Sequence, residues 1–189
     1  VEFARCPRLD CCYHGLHGAY NAKKAGVRNY VSQFMFNTPP ETWPNMDIAK
    51  MMAKMEMIQQ LEDETFTVYR EVRAGIAHFS ADPFIAKGQL AASALISLVM
   101  KPHILHVVGF SEGDHATGYE ELIESCKIVH GVIQNGLKGL PDFKTDTQIQ
   151  ARKEKLKSDA GLILDALSFI GANVADPFSD PKTIARAIE

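Results

Sequence analysis

Short apolar runs alternate along this chain with longer segments in which hydrophobic residues recur every three to four positions. Arg28 to Phe36, RNYVSQFMF, carries Tyr30, Val31, Phe34, Met35 and Phe36 in a nearly continuous apolar run, which predicts a buried strand. Asn37-Thr38-Pro39-Pro40 ends it, because proline offers no N–H to a ladder. Thr65 to Arg73, TFTVYREVR, is β-branched and aromatic with partial alternation, and reads as a second strand. Ile104 to Phe110, ILHVVGF, reads as a third.

The helices fall between and beyond these runs. Cys11 to Ala25 fits a short helix closed by Gly26, while Val1 to Asp10 is too short a pattern to assign, a strand end or a loop. Asn45 as N-cap and Met46, Ala49, Met52, Ala53, Met55, Ile58 and Leu61 on one face predict a helix ending near Asp63. Asp82 as N-cap with Pro83 in the first turn starts a helix rich in small residues that runs to about Met100. Further helices are expected at Tyr119–Leu137, Thr147–Ile170 and Pro181–Ile188.

Three strand-helix units in succession imply a parallel sheet whose strand C-terminal ends share one side. Three strands do not close a barrel. Because the chain starts at Val1 with no initiator Met, it reads as a piece of a longer polypeptide. The expected fold is therefore α/β, the C-terminal part of a (β/α)8 TIM barrel over residues 1–140, with 141–189 as a helical extension of the same domain. An open three-layer α/β domain is the alternative, although no Rossmann or P-loop glycine fingerprint follows any strand.

Composition narrows the function. With 189 residues, 46% hydrophobic and 23% charged, the chain has enough apolar material for one core. A net charge of -3 with dispersed Lys and Arg argues against nucleic acid. The longest apolar run, Leu90 to Met100, is too short to span a membrane. Four cysteines do not make a disulfide framework, so a reducing cytoplasm is the simpler home. Cys6, Cys11, Cys12, His14 and His17 do not follow a standard zinc spacing, and the methionines at positions 46, 51, 52, 55 and 57 read as core packing rather than a soft-metal site.

The candidate chemistry sits at the strand C-terminal ends, the rim that holds the active site of a barrel. Asn37 follows the first strand, Arg73 the second, and Ser111, Glu112, Asp114 and His115 the third. Glu112 and His115 are the expected catalytic pair, since a neighbouring carboxylate and imidazole can exchange protons or orient a cofactor edge. The competing reading makes Asp114 a helix cap and Glu112 a solvated loop charge. Asn37, Arg73, Ser111 and His115 are the expected cofactor contacts, Arg73 as a partner for carboxylate or phosphate. His103 and His106 lie three apart on a strand, hence on opposite faces, and are expected to be structural.

Pro39-Pro40 after a strand, Phe79 and Phe84 ahead of a small-residue helix, His106 with Gly109, and Glu112 with His115 before a helix form a pattern that extends over Arg28–Val132. This pattern resembles the late barrel segment of the adenosylcobalamin- and pyridoxal-phosphate-dependent aminomutases, namely the lysine 5,6-aminomutase large subunit and D-ornithine 4,5-aminomutase. The resemblance implies an isomerase barrel binding adenosylcobalamin, with pyridoxal phosphate beside it, and a radical 1,2-amino shift on a small amino acid. It also implies an oligomer and a separate Rossmann-like cobalamin-binding domain or subunit, because the D-x-H-x-x-G motif and the Schiff-base lysine of the family are not in this chain. A carbon-skeleton mutase barrel, similar to that of glutamate mutase, is a near variant. An aldolase- or lyase-type barrel using Glu112 and His115 as acid and base, or a non-catalytic α/β interaction module, are the alternatives from other classes.

Overall fold

The computed structural model describes the backbone of residues 7–188 and the side chains of residues 12–187. Its elements run α1 (Pro7–Lys24), β1 (Asn29–Phe36), α2 (Pro44–Gln59), β2 (Thr67–Ala74), α3 (Pro83–Ser97), β3 (Ile104–Leu105), α4 (Tyr119–Gly136), α5 (Thr147–Ile170) and α6 (Pro181–Ile188). The strands form one parallel sheet in the order β1-β2-β3. The fold is thus α/β, as the alternation predicts, with a small parallel sheet and its helices. The start of α1 at Pro7 takes in part of the stretch left unassigned from sequence, and Val1 to Cys6 lie outside the described residues.

Register decides which side chains meet. Phe34 pairs with Val72 and Phe36 with Ala74, so the even-numbered residues of both strands share one face. That face carries two adjoining cores. Phe34, Phe36 and Val72 pack on Ile48, Met51 and Met52 of α2, whereas Ala74 and Val108 pack on Ala86, Leu90 and Ala94 of α3 and Val129 of α4. Each large side chain buried here contributes roughly 1.5–3 kcal/mol. The helices following β1, β2 and β3 therefore all cover the same side of the sheet, and Met51, Met52 and Met57 of α2 are core residues with Met55 packed against them.

Among the described residues nothing covers the opposite face. Val31 is 45% exposed, Tyr69 36% and Ile104 43%, with Gln33 and His106 exposed beside them. The nearly continuous apolar run of β1 predicts burial on both faces; here only one is covered. β3 is also shorter than Ile104–Phe110. His106 donates its N–H to Val72 as the last ladder bond, after which the Gly109 and Phe110 N–H groups are taken by the Glu112 carboxylate and the Ser125 hydroxyl.

Local chemistry sets the helix ends. Asp82 caps α3, its carboxylate accepting from the N–H groups of Phe84 and Ile85. Pro44, at the first position of α2, places the cap at Trp43 rather than at Asn45. That helix stops at Gln59 because Asp63 and Thr65 form a tight turn, Asp63 accepting from the Thr65 N–H and hydroxyl. From Pro83 to Met100, α3 and the 3-10 turn after it are long and apolar enough to cross a membrane by length and composition alone; in this fold they pack between sheet and α4.

An outer layer lies on α2. Cys12 of α1 and Leu156 and Ala160 of α5 pack with Ala53 and Met57. Glu56 clasps α5 through Lys153 at 2.7 Å and Lys157 at 2.8 Å. Partial burial pushes the Glu56 carboxyl up, yet these two ammonium groups hold it below its ordinary value.

Candidate functional site

Parallel strands bring the three C-terminal loops to one end of the sheet. The Gly75 N–H donates to Phe36 O at 2.8 Å, joining the first two loops, and Gly113 lies against Phe79, joining the second and third. The expected rim residues do share an end. Their side chains, however, are mostly occupied in building it.

Asn37 sits in the left-handed region at φ 55 and donates its amide to the Ser93 hydroxyl of α3, while its backbone N–H donates to Asp47 at 2.5 Å. Beneath it Asp47 and Lys50, 0% and 1% exposed, form a buried ion pair at 2.6 Å, and Lys50 also donates to Thr38 O. Asn37 and its loop are thereby anchored to α2 and α3. Arg73 is half-buried at the end of β2, where its Nε donates to Ala74 O at 3.2 Å.

The third loop is an internal network. Glu112 accepts from the Gly109 N–H at 2.6 Å, and Glu121 accepts from the Gly118 N–H at 2.8 Å. Ser111, buried, bonds the Thr117 hydroxyl at 2.8 Å and donates to Glu121 at 3.0 Å. His115 is held from both sides, Nδ1 by Asp114 at 2.9 Å and Nε2 by Glu121 at 3.0 Å. Asp114 and then Glu121 raise the His115 pKa, and both ring nitrogens are engaged by these carboxylates. Glu112 and His115 are not brought together. Asp114, expected as a possible cap, serves His115, while the N-terminus of α4 is served by Glu121.

A different constellation crosses the bare face of the sheet. Gln33 of β1 donates to Glu71 of β2 at 2.9 Å, and His106, just past β3, meets the same Glu71 oxygen at 3.2 Å. The Gln33 bond, first, and His106 and Arg73 after it hold the Glu71 carboxyl below its ordinary value against the opposing effect of partial burial. Arg73, two residues along β2, projects from the same face as Glu71. One row thus offers an amide, a carboxylate, an imidazole and a guanidinium, framed by Val31, Tyr69 and Ile104. The row sets donors and acceptors side by side next to exposed apolar side chains.

Sequence reasoning treats His106 as structural and passes over Gln33 and Glu71. The signal present in sequence is the alternation Tyr69-Glu71-Arg73, which sets these three on one face, but the cross-strand row exists only once the register is known. The metal reading of the N-terminal Cys and His residues rests on Cys6 and the Cys11 side chain, which lie outside the described ones. Cys12 is buried with its thiol on Lys50 O, and His17 bonds Asn21. Among the described residues no group of three or more His, Cys, Asp or Glu side chains is placed to hold a metal ion. No family model and no curated protein matches this chain.

Proposed function

We propose that this chain is the late sector of a (β/α)8 barrel in an adenosylcobalamin-dependent amino-acid mutase, residues 1–140 belonging to the barrel and 141–189 to its helical extension. The observation that carries the reading is a parallel sheet with all its crossover helices on one face and a polar row on the other. A barrel wears its helices outside and closes around the face left bare here. Strand order without reversal supports this, because open doubly wound sheets reverse order at the ligand crevice. Exposed Leu122 and Ile123 on α4 fit the seat of a further helix. The aminomutase identity itself rests on the resemblance over Arg28–Val132.

The C-terminal end of this face fits the edge of a corrinoid lying across the barrel rim: Arg73, next to last in β2, and His106, just past β3, supply N–H groups there, and Glu71, one step below them and bonded to Gln33, holds His106 in place. When bound, adenosylcobalamin supplies a carbon radical by homolysis of its cobalt–carbon bond. The residues of this chain hold the cofactor edge, keep a carboxylate fixed beside it and exclude water from that side. For pyridoxal phosphate the fit is partial: Arg73 is a cation suited to the phosphate, but none of the three strands carries a lysine for an imine. No step is assigned to it. The cobalamin-binding domain or subunit, the amino-acid substrate and oligomerisation complete this proposal.

Acid–base chemistry through Glu112 and His115 has less support, since the first is spent on a backbone N–H and the second is held by a carboxylate at each ring nitrogen. Titration of the full-length protein with adenosylcobalamin and with pyridoxal phosphate, following both chromophores, tests the proposal. A saturable change in the cobalamin spectrum is expected. No change at saturating cofactor would reject it.

A further inference from the structure

The polar residues of α3 are turned inward or to its flanks. Ser93 and Ser97 are buried and donate to Gln89 O and Ala94 O, Gln89 accepts from the Ser80 N–H, and Lys87 pairs with Glu124 of α4 at 2.6 Å. The exposed residues of this helix are Pro83, Phe84, Ile85, Gly88, Ala92 and Leu95, every one apolar. Phe84 is 81% exposed and Ile85 55%, and a methyl added at Gly88 would meet nothing within 4 Å. The helix side that meets water ordinarily carries the polar residues, and a contiguous apolar patch there marks a contact surface. Ile96 packs toward α2, and Leu90 and Ala94 pack with Val129 of α4, so this face points away from the rest of the described chain.

The pattern on this face is self-complementary. Ile85, Gly88, Ala92 and Leu95 recur at spacings of three, four and three, the spacing of a seam between two packed helices. Turned about a two-fold axis between Gly88 and Ala92, a second α3 sets Ile85 against Leu95 and Gly88 against Ala92, so the small residues let the backbones approach while the large ones fill the sides. The charges at the ends match in the same arrangement. Exposed Asp82 stands at the N-terminal end and exposed Lys101 just past the C-terminal end, and antiparallel copies bring each toward the other, with the two helix dipoles opposed. A membrane surface is the poorer occupant, because it favours a helix with Lys and Arg along its polar side, whereas the ends of this face carry opposite charges.

We propose that α3 pairs antiparallel with α3 of a second copy of this chain, forming a two-fold dimer through Ile85, Gly88, Ala92 and Leu95 with Asp82 and Lys101 facing across its ends. The pairing does not depend on what the sheet face binds. Two facing helices of this length bury about 1,000 Å² in total, below the usual specific interface, so the dimer exchanges with monomer at a Kd on the order of 100 µM. Sedimentation velocity of the full-length protein, over two decades of concentration around that value, measures the parent, Ala92→Arg and Lys101→Glu. Both variants change exposed side chains, and far-UV circular dichroism checks that they fold. The parent's sedimentation coefficient should rise with concentration. Ala92→Arg places two cations near the axis and should weaken pairing about tenfold or more. Lys101→Glu sets like charges at both ends and should weaken pairing about fivefold. Added salt should then strengthen pairing in Lys101→Glu and weaken it in the parent. A parent that stays monomeric over the whole range overturns the proposal, as does either variant pairing as tightly as the parent. A monomeric parent that floats with phosphatidylcholine–phosphatidylserine vesicles overturns it in favour of a membrane surface.

Discussion

Asp47→Ala would strand a cation in the protein interior. Asp47 is 0% exposed and Lys50 1%, and the carboxylate accepts both from Lys50 at 2.6 Å and from the Asn37 N–H at 2.5 Å. With the carboxylate gone, Lys50 keeps Thr38 O as a partner but loses its counter-charge. Breaking a buried pair from one side costs about 3–5 kcal/mol, more than the loss of an ordinary hydrogen bond, because the remaining charge is uncompensated. With a urea m-value of roughly 2–3 kcal/mol per molar, the midpoint should fall by about 1–2 M. Equilibrium unfolding followed by far-UV circular dichroism measures this. The double variant Asp47→Asn/Lys50→Met removes both charges, keeps an acceptor for Asn37 and preserves volume, so it should lie within about 1–2 kcal/mol of the parent. A loss below about 1 kcal/mol in Asp47→Ala, or a double variant as unstable as the single one, would refute the stranded-charge reasoning.

Two further outcomes follow from the third loop. An added methyl at Gly113 would stand 2.7 Å from the carbonyl oxygen of Phe79 and 2.8 Å from its Cβ, so Gly113→Ala should destabilise by about 1–3 kcal/mol in the same unfolding assay, whereas the open position Gly131 should accept alanine without loss. His115 has a folded pKa raised above 6.5, so the stability it contributes is complete below that value and is lost as pH rises through the folded pKa. The difference in thermal midpoint between the parent and His115→Gln should therefore shrink from about pH 6 to about pH 9; a difference that stays constant over that range contradicts the assignment.

Elements were legible in the sequence wherever the local chemistry that forms them is itself local. Asp82-Pro83 announces a helix start because a carboxylate caps N–H groups only two or three residues away, and the structure shows Asp146 and Asp180 doing the same for α5 and α6. The parallel sheet followed from alternation of elements. The short β3 did not: its ladder stops at His106, and the Gly109 and Phe110 N–H groups beyond it go to Glu112 and to Ser125, which lies 15 residues past Phe110. The exposed face of β1 was equally hidden, because Val31 and Met35 look like core until pairing fixes which face the helices take. At the site, Glu112 and His115 are three apart in sequence and bonded to different groups, while Gln33, Glu71 and His106 are joined across 38 and 35 residues. Cross-strand register brought them together, and register is a property of the whole sheet.

If the sheet face with Gln33, Glu71, Arg73 and His106, rather than the Glu112–His115 loop, carries the ligand, affinity depends on Glu71 and not on Glu112. The direct measurement is the Kd of adenosylcobalamin for the full-length protein and for Glu71→Leu and Glu112→Gln, read from the cobalamin spectrum. A charged hydrogen-bonding group on the ligand surface is worth about 1.5–3 kcal/mol, so Glu71→Leu should weaken binding roughly tenfold or more. Glu112→Gln retains an acceptor for the Gly109 N–H and should bind as the parent does. Unchanged affinity in Glu71→Leu, with affinity lost in Glu112→Gln, would contradict the account.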